Sequence, residues 1–535
     1  MLCTVALHAQ VPPFGANIEV RVVNVDVVVT DRAGNLVHNL TQDDFEVLDE
    51  GVAQTITNFS EIRPPDVESP KAAAVPEARP RAFVLFIDSA SLPPVARRKV
   101  LEALTRFIDE QLGPGDQASV VEWGRSLTIA APLTSDKAIL RQALADAGAH
   151  ASPASAQTAL ARVQRQCSSS LRMAMSGALP MRIAYEECIG YVRQETQALT
   201  LASRSVLSAV DVALTTVAGV DAKKALIVAG AELPADPGAD LFQWANDLFA
   251  RYTRGFGAAH ERPDGDVTRE QHSRIEELAH RASTRGVTLY LVAGTATSNP
   301  NDASATLAVH DSGADFQHKG NTRDAFASLA RESGGFAVPT VDALDRALDA
   351  IARETASYYA IGYRPGQERR GDRHIVVRTK KKEYVVRARR TYAQPTVDEE
   401  VGDRVTANVF REDARSAFAV RIRAGQPQRA ARGQYTVPVE IVFPSSLTLL
   451  PDGEQLAGGF VVYVSVGNDS GALSGIQRRM QPVRMAKGEE KTFRAEPVLF
   501  TATLTMREGE NRLSVAVRDQ VSNEIGFARA TIVAK

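Results

Sequence analysis

The sequence predicts a multidomain α/β plus β protein, with a central doubly wound α/β domain flanked by an N-terminal β segment and a C-terminal β-sandwich. Three observations support this fold class. The chain has 535 residues, too many for one hydrophobic core. From residue 81 apolar strands alternate with helical patterns, which is typical of a doubly wound sheet. Valine-rich alternating segments precede this region, and short strands separated by Gly, Asp and Asn turns follow it.

The N-terminal region begins with a candidate export signal. The stretch MLCTVALHAQVPPFG is similar to the end of a secretory signal peptide without its basic start, so we expect residues 1–16 to be a signal peptide remnant. The alternative is the frayed N-terminus of a cytosolic protein. Residues 17–62 begin with the alternating, valine-rich stretch IEVRVVNVDVVVTD and continue through turns at DRAGN and DEG, which predicts a β-sandwich-like segment. Residues 63–80 are rich in Pro, Ala and charge and are interpreted as a linker.

Residues 81–357 carry the α/β pattern. The apolar run FVLFI ends at Asp88 and predicts a strand buried on both faces. Further strands are expected at QASVVEW, KKALIVAGAEL and GVTLYLVAG, with helices between them. A long helical insertion is expected at about 150–217, and SGALP at residues 176–180 divides it into two arms.

The remaining chain is predicted to be β. Residues 358–395 favour a β-hairpin extension that turns at KKKE, and residues 400–535 favour a C-terminal β-sandwich domain. Ten Lys and Arg against three acids lie between residues 367 and 390. We interpret them as a solvated strand face, because edge strands carry Lys to resist pairing. The alternative, a polyanion-binding face, would need aromatic stacking platforms, and the aromatic residues here are not arranged in that way.

The composition argues against several classes of function. The formal net charge is −2, so no global field favours nucleic acid or an anionic membrane. No uninterrupted apolar run approaches the ~20 residues of a membrane-spanning helix. The sequence therefore predicts no nucleic-acid partner and no membrane span, and it names neither the protein partner nor the oligomeric state. It also lacks GxSxG, HExxH, GxGxxG and P-loop motifs, which favours a non-enzymatic protein without a cofactor.

The cysteines indicate an oxidising compartment. Cys3 lies in the signal remnant, which leaves Cys167 and Cys188 as an even pair on opposite sides of the break in the helical insertion. We expect a disulfide that staples a helical hairpin, as in periplasmic, cell-surface or extracellular proteins. The alternative is two unrelated buried thiols.

The α/β region resembles a von Willebrand factor type A domain. The segments that carry this resemblance are FVLFID, GPGDQASVVEW, PLTSDKAIL and KKALIVAGAEL. The wider arrangement is similar to von Willebrand A-related exported proteins of the acidobacterial type, through the segments at residues 22–62, 331–365 and 385–392. The resemblance covers most of residues 17–395. It implies a protein-binding, adhesion or scaffold role.

The resemblance also implies where a metal would bind. In metal-competent members, the first strand ends in Asp-x-Ser-x-Ser, and a Thr and an Asp from other loops complete a shell that suits Mg²⁺. Here Asp88 is present, but Ala90 and Leu92 take the two serine positions. The hydroxyls of Ser89 and Ser91 are one position out of phase.

The other two ligand positions are also altered. Gly230 and Ala231 align with the distal Asp, Glu232 is the nearest acid, and the nearest hydroxyls for the Thr are Thr200 and Ser203. We therefore expect a degenerate site. The alternative for Asp88 or a neighbouring serine is a cap on the next helix.

These observations predict an exported, non-enzymatic protein-binding, adhesion or scaffold protein. One alternative is a Mg²⁺-dependent adhesin with a rearranged site formed by Asp88, Ser89 or Ser91, and Glu232. Another is an envelope hydrolase whose dispersed residues form no recognisable motif.

Overall fold

The structure, a computed structural model, describes residues 22–64, 79–124, 126–149, 159–230, 233–253, 261–294, 312–365, 372–392, 396–410, 416–468 and 473–535. The predicted signal remnant, most of the predicted linker, and Glu232 lie outside the described residues. The chain opens with four strands: β1 (Val23–Thr30), β2 (Phe45–Asp49), β3 (Val52–Gln54) and β4 (Ile56–Ile62).

Strands and helices alternate in the next region. In chain order its elements are β5 (Arg81–Asp88), α1 (Pro94–Gln111), β6 (Gln117–Trp123), β7 (Leu127–Thr134), α2 (Lys137–Ala149), α3 (Ala159–Met175), α4 (Met181–Ala218), β8 (Lys223–Gly230), α5 (Ala239–Thr253), α6 (Gly265–Thr284), β9 (Val287–Ala293), α7 (Ser312–Ser333), β10 (Ala337–Val338) and α8 (Leu344–Ala356).

The strands of this region form one six-stranded sheet in the order β10-β9-β8-β5-β6-β7. All neighbours are parallel except β7, which runs antiparallel to β6 at the edge. Helices α1, α2 and α8 pack on one face, and α4, α6 and α7 pack on the other. This is a doubly wound arrangement with the apolar strand β5 near its centre.

The next strands return to the start of the chain. They are β11 (Tyr358–Tyr363), β12 (Arg373–Thr379), β13 (Val385–Ala388) and β14 (Thr391–Tyr392). Together with the first four strands they form two sheets, β13-β1-β11-β4 and β14-β12-β2-β3. The two sheets share an apolar core that includes Val25, Phe45, Tyr359 and Ile361. In the sequence, the α/β region is therefore inserted between the strands that together form one β-sandwich.

This pairing differs from the predicted hairpin at residues 358–395. β12 pairs with β2, whereas β13 pairs with β1, so the two strands around KKKE lie in different sheets. The physical reason is that β1 and β2 each present unpaired backbone N–H and C=O groups along one edge. Strand β13 pairs with that edge of β1 and β12 with that edge of β2, and both also cover the apolar faces beside them.

The helical insertion forms a hairpin. Helix α3 ends at a turn in which Gly177 has φ of 80°, while the amides of Gly177 and Ala178 donate to the carbonyls of Ala174 and Met173. The structure joins Cys167 to Cys188 by a disulfide across this hairpin. Among the described residues, α4 alone is long and apolar enough to cross a membrane, yet half of its most apolar stretch is buried inside the protein, as in a core helix.

The C-terminal region opens with a helix. Its elements are α9 (Val397–Phe410), β15 (Arg421–Ala424), β16 (Gln428–Ala431), β17 (Gln434–Phe443), β18 (Leu450–Asp452), β19 (Gln455–Asn468), β20 (Gln477–Ala486), α10 (Glu490–Ala495), β21 (Val498–Arg507), β22 (Gly509–Asp519) and β23 (Ile525–Ala534). One sheet is built around β17 and the other around β19 and β22. Their facing sides form the core of a sandwich.

Helix α9 corrects the prediction that this region is β from its start. Thr396 and Glu399 form a capping box, in which the Thr396 amide donates to Glu399 Oε2 at 2.7 Å and the Glu399 amide donates to Thr396 Oγ1 at 3.2 Å. Val401 and Val405 then pack on the outer face of β19 and β22. Asp403 binds Arg285 of the α/β region, with N–O distances of 2.9 and 3.0 Å.

Candidate functional site

The candidate site lies at the carboxyl end of β5. Open α/β sheets bind their ligands outside the carboxyl ends of the strands. Asp88 is the last residue of β5, and hydrogen-bonded strands flank it on both sides. Its side chain is only 1% exposed, so the carboxylate is withdrawn from the surface.

The carboxylate of Asp88 is held by its own loop. The hydroxyl of Ser91 donates to Asp88 Oδ2 at 2.5 Å, and the amide of Ser91 donates to Oδ1 at 3.2 Å. The amide of Leu92 donates to the main-chain oxygen of Asp88 at 3.1 Å. Of the two serines that the sequence placed out of phase, Ser91 is therefore the one that contacts Asp88, and it does so as a hydrogen-bond donor.

Ser89 and Leu92 show why the loop departs from a metal-binding geometry. Ser89 is 3% exposed, and its hydroxyl has no hydrogen-bond partner among the described residues. Leu92 is 4% exposed and belongs to the apolar cluster under α1. The position at which the resemblance implies a second hydroxyl thus serves as a packing position.

The next helix is not capped by Asp88 or by a serine, contrary to the alternative considered from the sequence. Helix α1 has Pro93 as its N-cap and Pro94 as its first residue, and none of the described side chains caps it. The amide that Asp88 binds belongs to the loop and precedes the helix. Proline at the first helical position still suits the helix, because that residue needs no amide donor.

Gly230 lies directly beside Asp88 at the end of β8. A Cβ built on Gly230 would lie 3.3 Å from Oδ2 of Asp88, so a side chain has little room there. The main-chain oxygen of Gly230 accepts from the amide of Gly294 at 2.7 Å. Ala231 and Glu232, which follow, lie outside the described residues.

The hydroxyls of α4 are engaged elsewhere. Thr200 donates from Oγ1 to the oxygen of Thr196 at 2.8 Å, within its own helix. Ser203 Oγ accepts from Nε2 of Gln271 in α6 at 2.5 Å. The structure therefore uses both side chains for helix packing and brings neither to Asp88.

Those candidate residues that the structure describes do not form a complete magnesium shell. Mg²⁺ prefers six oxygen ligands in octahedral geometry. The described residues offer the Asp88 carboxylate, already bound by Ser91, and the unpaired hydroxyl of Ser89. The cavity beside Asp88 has a volume of only about 10 Å³, and it is lined mainly by apolar side chains, including Val206, Leu233 and Phe326.

The described part of the chain contains no group of three or more His, Cys, Asp or Glu placed to hold a metal ion. Asp264, in an acidic turn, is the N-cap of α6 and accepts from the amide of Asp266 at 2.9 Å. His272 and His280 each face a single carboxylate, that of Asp236 at 3.0 Å and that of Asp372 at 3.1 Å.

A second group of functional candidates, missed in the sequence, lies at the opposite ends of the strands. Lys223 donates to Asp26 of β1 at 2.7 Å. Glu354 of α8 is 3% exposed and binds Arg387 of β13. Burial raises the pKa of Glu354, although Arg387 lowers it. The sequence holds a signal for Lys223, Asp26 and Arg387, because these charged residues open or interrupt apolar strands.

The fold and site define a class of protein: a doubly wound α/β domain set within a β-sandwich, followed by a second sandwich and lacking a complete metal shell among its described residues. No family model matches the chain, and no curated protein matches it in sequence. Matches are found among solved structures.

Three of these structures illustrate the likeness. An aerotolerance-related membrane protein from Bacteroides fragilis is 11% identical with a TM-score of 0.23, over 52% of this chain and 98% of that chain. The vWF domain of the type V pili tip protein Mfa5 from Porphyromonas gingivalis is 13% identical with a TM-score of 0.26, over 51% and 94% of the two chains. Three N-terminal domains of the same protein are 10% identical with a TM-score of 0.26, over 90% and 77%. Likenesses of this size say nothing about function.

Proposed function

We propose that this is an exported, non-enzymatic binding or scaffold protein, in which a β-sandwich base carries a von Willebrand A-like domain whose metal site is degenerate. The observation that carries the proposal is the state of the Asp88 loop. The carboxylate is buried and bound by Ser91, and Leu92 occupies the apolar core at the position of a ligand. A loop that is stabilised by its own contacts has no need of an ion to order it.

Export is supported by the disulfide between Cys167 and Cys188. Disulfides persist in oxidising compartments and are rare in the cytosol of mesophiles. The bond joins α3 to α4 in the helical insertion. We therefore assign the protein to the periplasm, the cell surface or the extracellular space.

A binding role is supported by the exposed end of the helical hairpin. Met173, Met175 and Ile183 are 42%, 64% and 40% exposed around the turn between α3 and α4. Methionine side chains adapt to different partner surfaces, and exposed apolar groups that lie together mark interaction sites. We propose this end of the hairpin as a contact for a partner protein.

A second candidate function is the Mg²⁺-dependent adhesin. The observation that favours it is the buried hydroxyl of Ser89, which lies beside Asp88 without a hydrogen-bond partner in the described structure. Buried polar groups are usually satisfied, so an unpaired hydroxyl is a reason to test for an ion. In this alternative, Asp88, Ser89 and Glu232 would be the protein ligands.

Calorimetric titration with Mg²⁺ and with Mn²⁺ separates the two functions. We expect no saturable heat and no change in melting temperature at millimolar metal. Saturable binding that disappears in Asp88→Ala, but persists in the matched variant Asp109→Ala at an exposed position of α1, would favour the adhesin instead. Asp109 is a suitable control because its partner, Arg141, is also exposed.

Partner binding is tested with the full chain. We expect a protein from the envelope fraction to be retained by the wild type in the presence of EDTA and lost by Met173→Ser with Met175→Ser. Leu201→Ser provides the control, because Leu201 is an equally exposed apolar residue, 62% exposed, on α4. Retention by both variants would place the partner surface elsewhere. Retention by the wild type only when Mg²⁺ is present would favour the adhesin.

A further inference from the structure

A polar cavity of about 250 Å³ lies where the α/β region meets the first sandwich. It lies at the amino ends of β8 and β9, away from Asp88. Lys224 and Glu354 line it from the α/β region, and Asn24, Asp26 and Arg389 line it from the sandwich strands and their flanks. Both structural units therefore contribute polar side chains to one cavity.

Positive charge predominates in this cavity. Its lining includes five cationic and three acidic side chains: Arg79, Lys223, Lys224, Arg387 and Arg389, against Asp26, Asp221 and Glu354. Two of the acids are already engaged, because Asp26 binds Lys223 and Glu354 binds Arg387. Asp221 is exposed at the rim. The excess charge is therefore that of Lys224 and Arg389, with Arg79 exposed near the opening.

Lys224 and Arg389 have only main-chain oxygens as hydrogen-bond acceptors among the described residues. Lys224 Nζ donates to the oxygen of Ala218 at 3.0 Å. Arg389 donates to the oxygen of Ser283 at 3.3 Å and to the oxygen of Asn24. Ala218 and Ser283 lie in the last turns of α4 and α6, where carbonyls carry partial negative charge. No carboxylate of the described residues forms an ion pair with either cation.

These acceptors leave binding capacity unused. An ammonium group has three N–H donors and a guanidinium has five. Burial lowers the pKa of Lys224 to about 8, and the nearby charge of Arg389 adds to this effect. Burial also lowers the pKa of Arg389. Asp26, Asp221 and Asp403 favour the charged form of Lys224 from a distance, but no carboxylate of the described residues is in ion-pair contact with Lys224 or Arg389. Two neighbouring cations that lack such a direct partner form a favourable place for an anion.

We propose that this cavity binds a small oxyanion with two negative charges, of the phosphate or sulfate class, between Lys224 and Arg389. Charge-assisted hydrogen bonds from an ammonium and a guanidinium suit such an ion. Because Lys224 is the second residue of β8 and Arg389 follows β13, the ion would join the α/β domain to its sandwich base. This binding site is independent of the partner surface and of Asp88.

The test uses the full chain with inorganic phosphate and with sulfate, each compared with sodium chloride at equal ionic strength. Saturable heat in calorimetry and a rise in melting temperature beyond that in chloride are expected. Lys224→Met should weaken phosphate binding by about tenfold or more, as for loss of a charge-assisted hydrogen bond. Lys381→Met, at an exposed lysine outside the cavity, should leave the binding unchanged.

Three results would overturn the proposal. The first is a melting temperature that rises as much in chloride as in phosphate and sulfate. The second is equal phosphate affinity in the wild type and in Lys224→Met. The third is a loss of phosphate affinity in Lys381→Met as large as that in Lys224→Met. If Lys224→Met does not fold, Arg79→Gln takes its place, because Arg79 is exposed and lines the same cavity. That variant should reduce phosphate affinity severalfold without changing the melting temperature in chloride, and unchanged affinity would again refute the site.

Discussion

Lys223 Nζ lies 2.7 Å from Oδ2 of Asp26, so an ion pair joins the first residue of β8 to the first strand of the sandwich. Burial opposes ionisation of Asp26, but the charge and hydrogen bond of Lys223 outweigh it and lower the pKa of Asp26. The same ammonium lies 4.6 Å from the centre of the Tyr358 ring, over its face. Lys223 therefore contacts β1 and β11 from the edge of the α/β domain. These neighbouring strands of one sheet precede and follow the α/β region in the chain.

We expect Asp26→Asn to lower the free energy of unfolding by about 1–3 kcal/mol at pH 7, since it leaves a mostly buried ammonium without its carboxylate. Urea denaturation measures the change. Asp109→Asn removes an exposed partner of Arg141 and should stay within about 0.5 kcal/mol of the wild type. Equal effects of the two variants would mean that the Asp26 pair contributes no more than a surface contact.

The pH dependence of this pair follows from the lowered pKa of Asp26. The folded protein holds the proton on Asp26 less tightly than the unfolded chain does. The pair therefore stabilises the fold fully above the unfolded value of 3.8 and loses that contribution as pH falls through the lower folded value. The difference between the wild type and Asp26→Asn should shrink below about pH 4 in urea denaturation curves.

Local patterns predicted much of the α/β region. The apolar run that ends at Asp88, the break at residues 176–180 and the pairing of Cys167 with Cys188 all have local signals, and the structure contains each of them. The resemblance to von Willebrand A domains supplied the expectation for Ala90 and Leu92. Sequence spacing does not determine which serine contacts Asp88. In the structure, the hydroxyl of Ser91 donates a hydrogen bond to the Asp88 carboxylate.

The parts that were missed depend on distant contacts or on an overlooked cap. Strands β12 and β13 were expected to pair with each other, but their partners lie more than 300 residues earlier in the chain. Such pairing leaves no local signature. Helix α9 did have one, because Thr396 and Glu399 stand at capping-box spacing before Val401 and Val405. The charged groups of the interdomain cavity become neighbours only through the sandwich pairing.

Leu92 allows a test of why the metal motif is not retained. Leu92→Ser should lower the free energy of unfolding by about 2–5 kcal/mol, as for other losses of a buried leucine, and should not create Mg²⁺ binding. Ala90→Ser is the matched control at the other altered position, because Ala90 is exposed and should tolerate a hydroxyl. Urea denaturation and calorimetry with Mg²⁺ measure the two properties. A stable Leu92→Ser variant that binds Mg²⁺ would show that the loop retains the geometry of a metal site.

The disulfide should stabilise the helical insertion. Cys167 and Cys188 are 21 residues apart, so their bond restricts the unfolded chain. We expect reduction to lower stability by about 2–4 kcal/mol, measured by thermal unfolding with and without a thiol reductant. The double variant Cys167→Ser with Cys188→Ser should resemble the reduced protein and should not respond to the reductant. A response of the double variant would assign the effect of the reductant to another process.

Lys224 links the stability of the anion-free protein to pH. Burial lowers the pKa of Lys224 to about 8, and the charge of Arg389 adds to this shift. Three carboxylates near the ammonium oppose the shift by favouring its charged form: Asp403, Asp221 and Asp26. The folded protein thus holds this proton less tightly than the unfolded chain, whose lysine pKa is 10.5. The charge opposes folding fully below about pH 8, and the penalty disappears as pH rises towards the unfolded value.

Lys224→Met should therefore stabilise the protein by about 1–2 kcal/mol at pH 7 in phosphate-free chloride, a value reduced from the full shift because the side chain is partly exposed to the cavity. The gain should decline between pH 8 and pH 10.5 in urea denaturation. Lys381→Met, which removes an exposed charge, should show no such decline. A Lys224→Met variant that is less stable than the wild type at every pH would show that the hydrogen bond to Ala218 outweighs the cost of burying the charge.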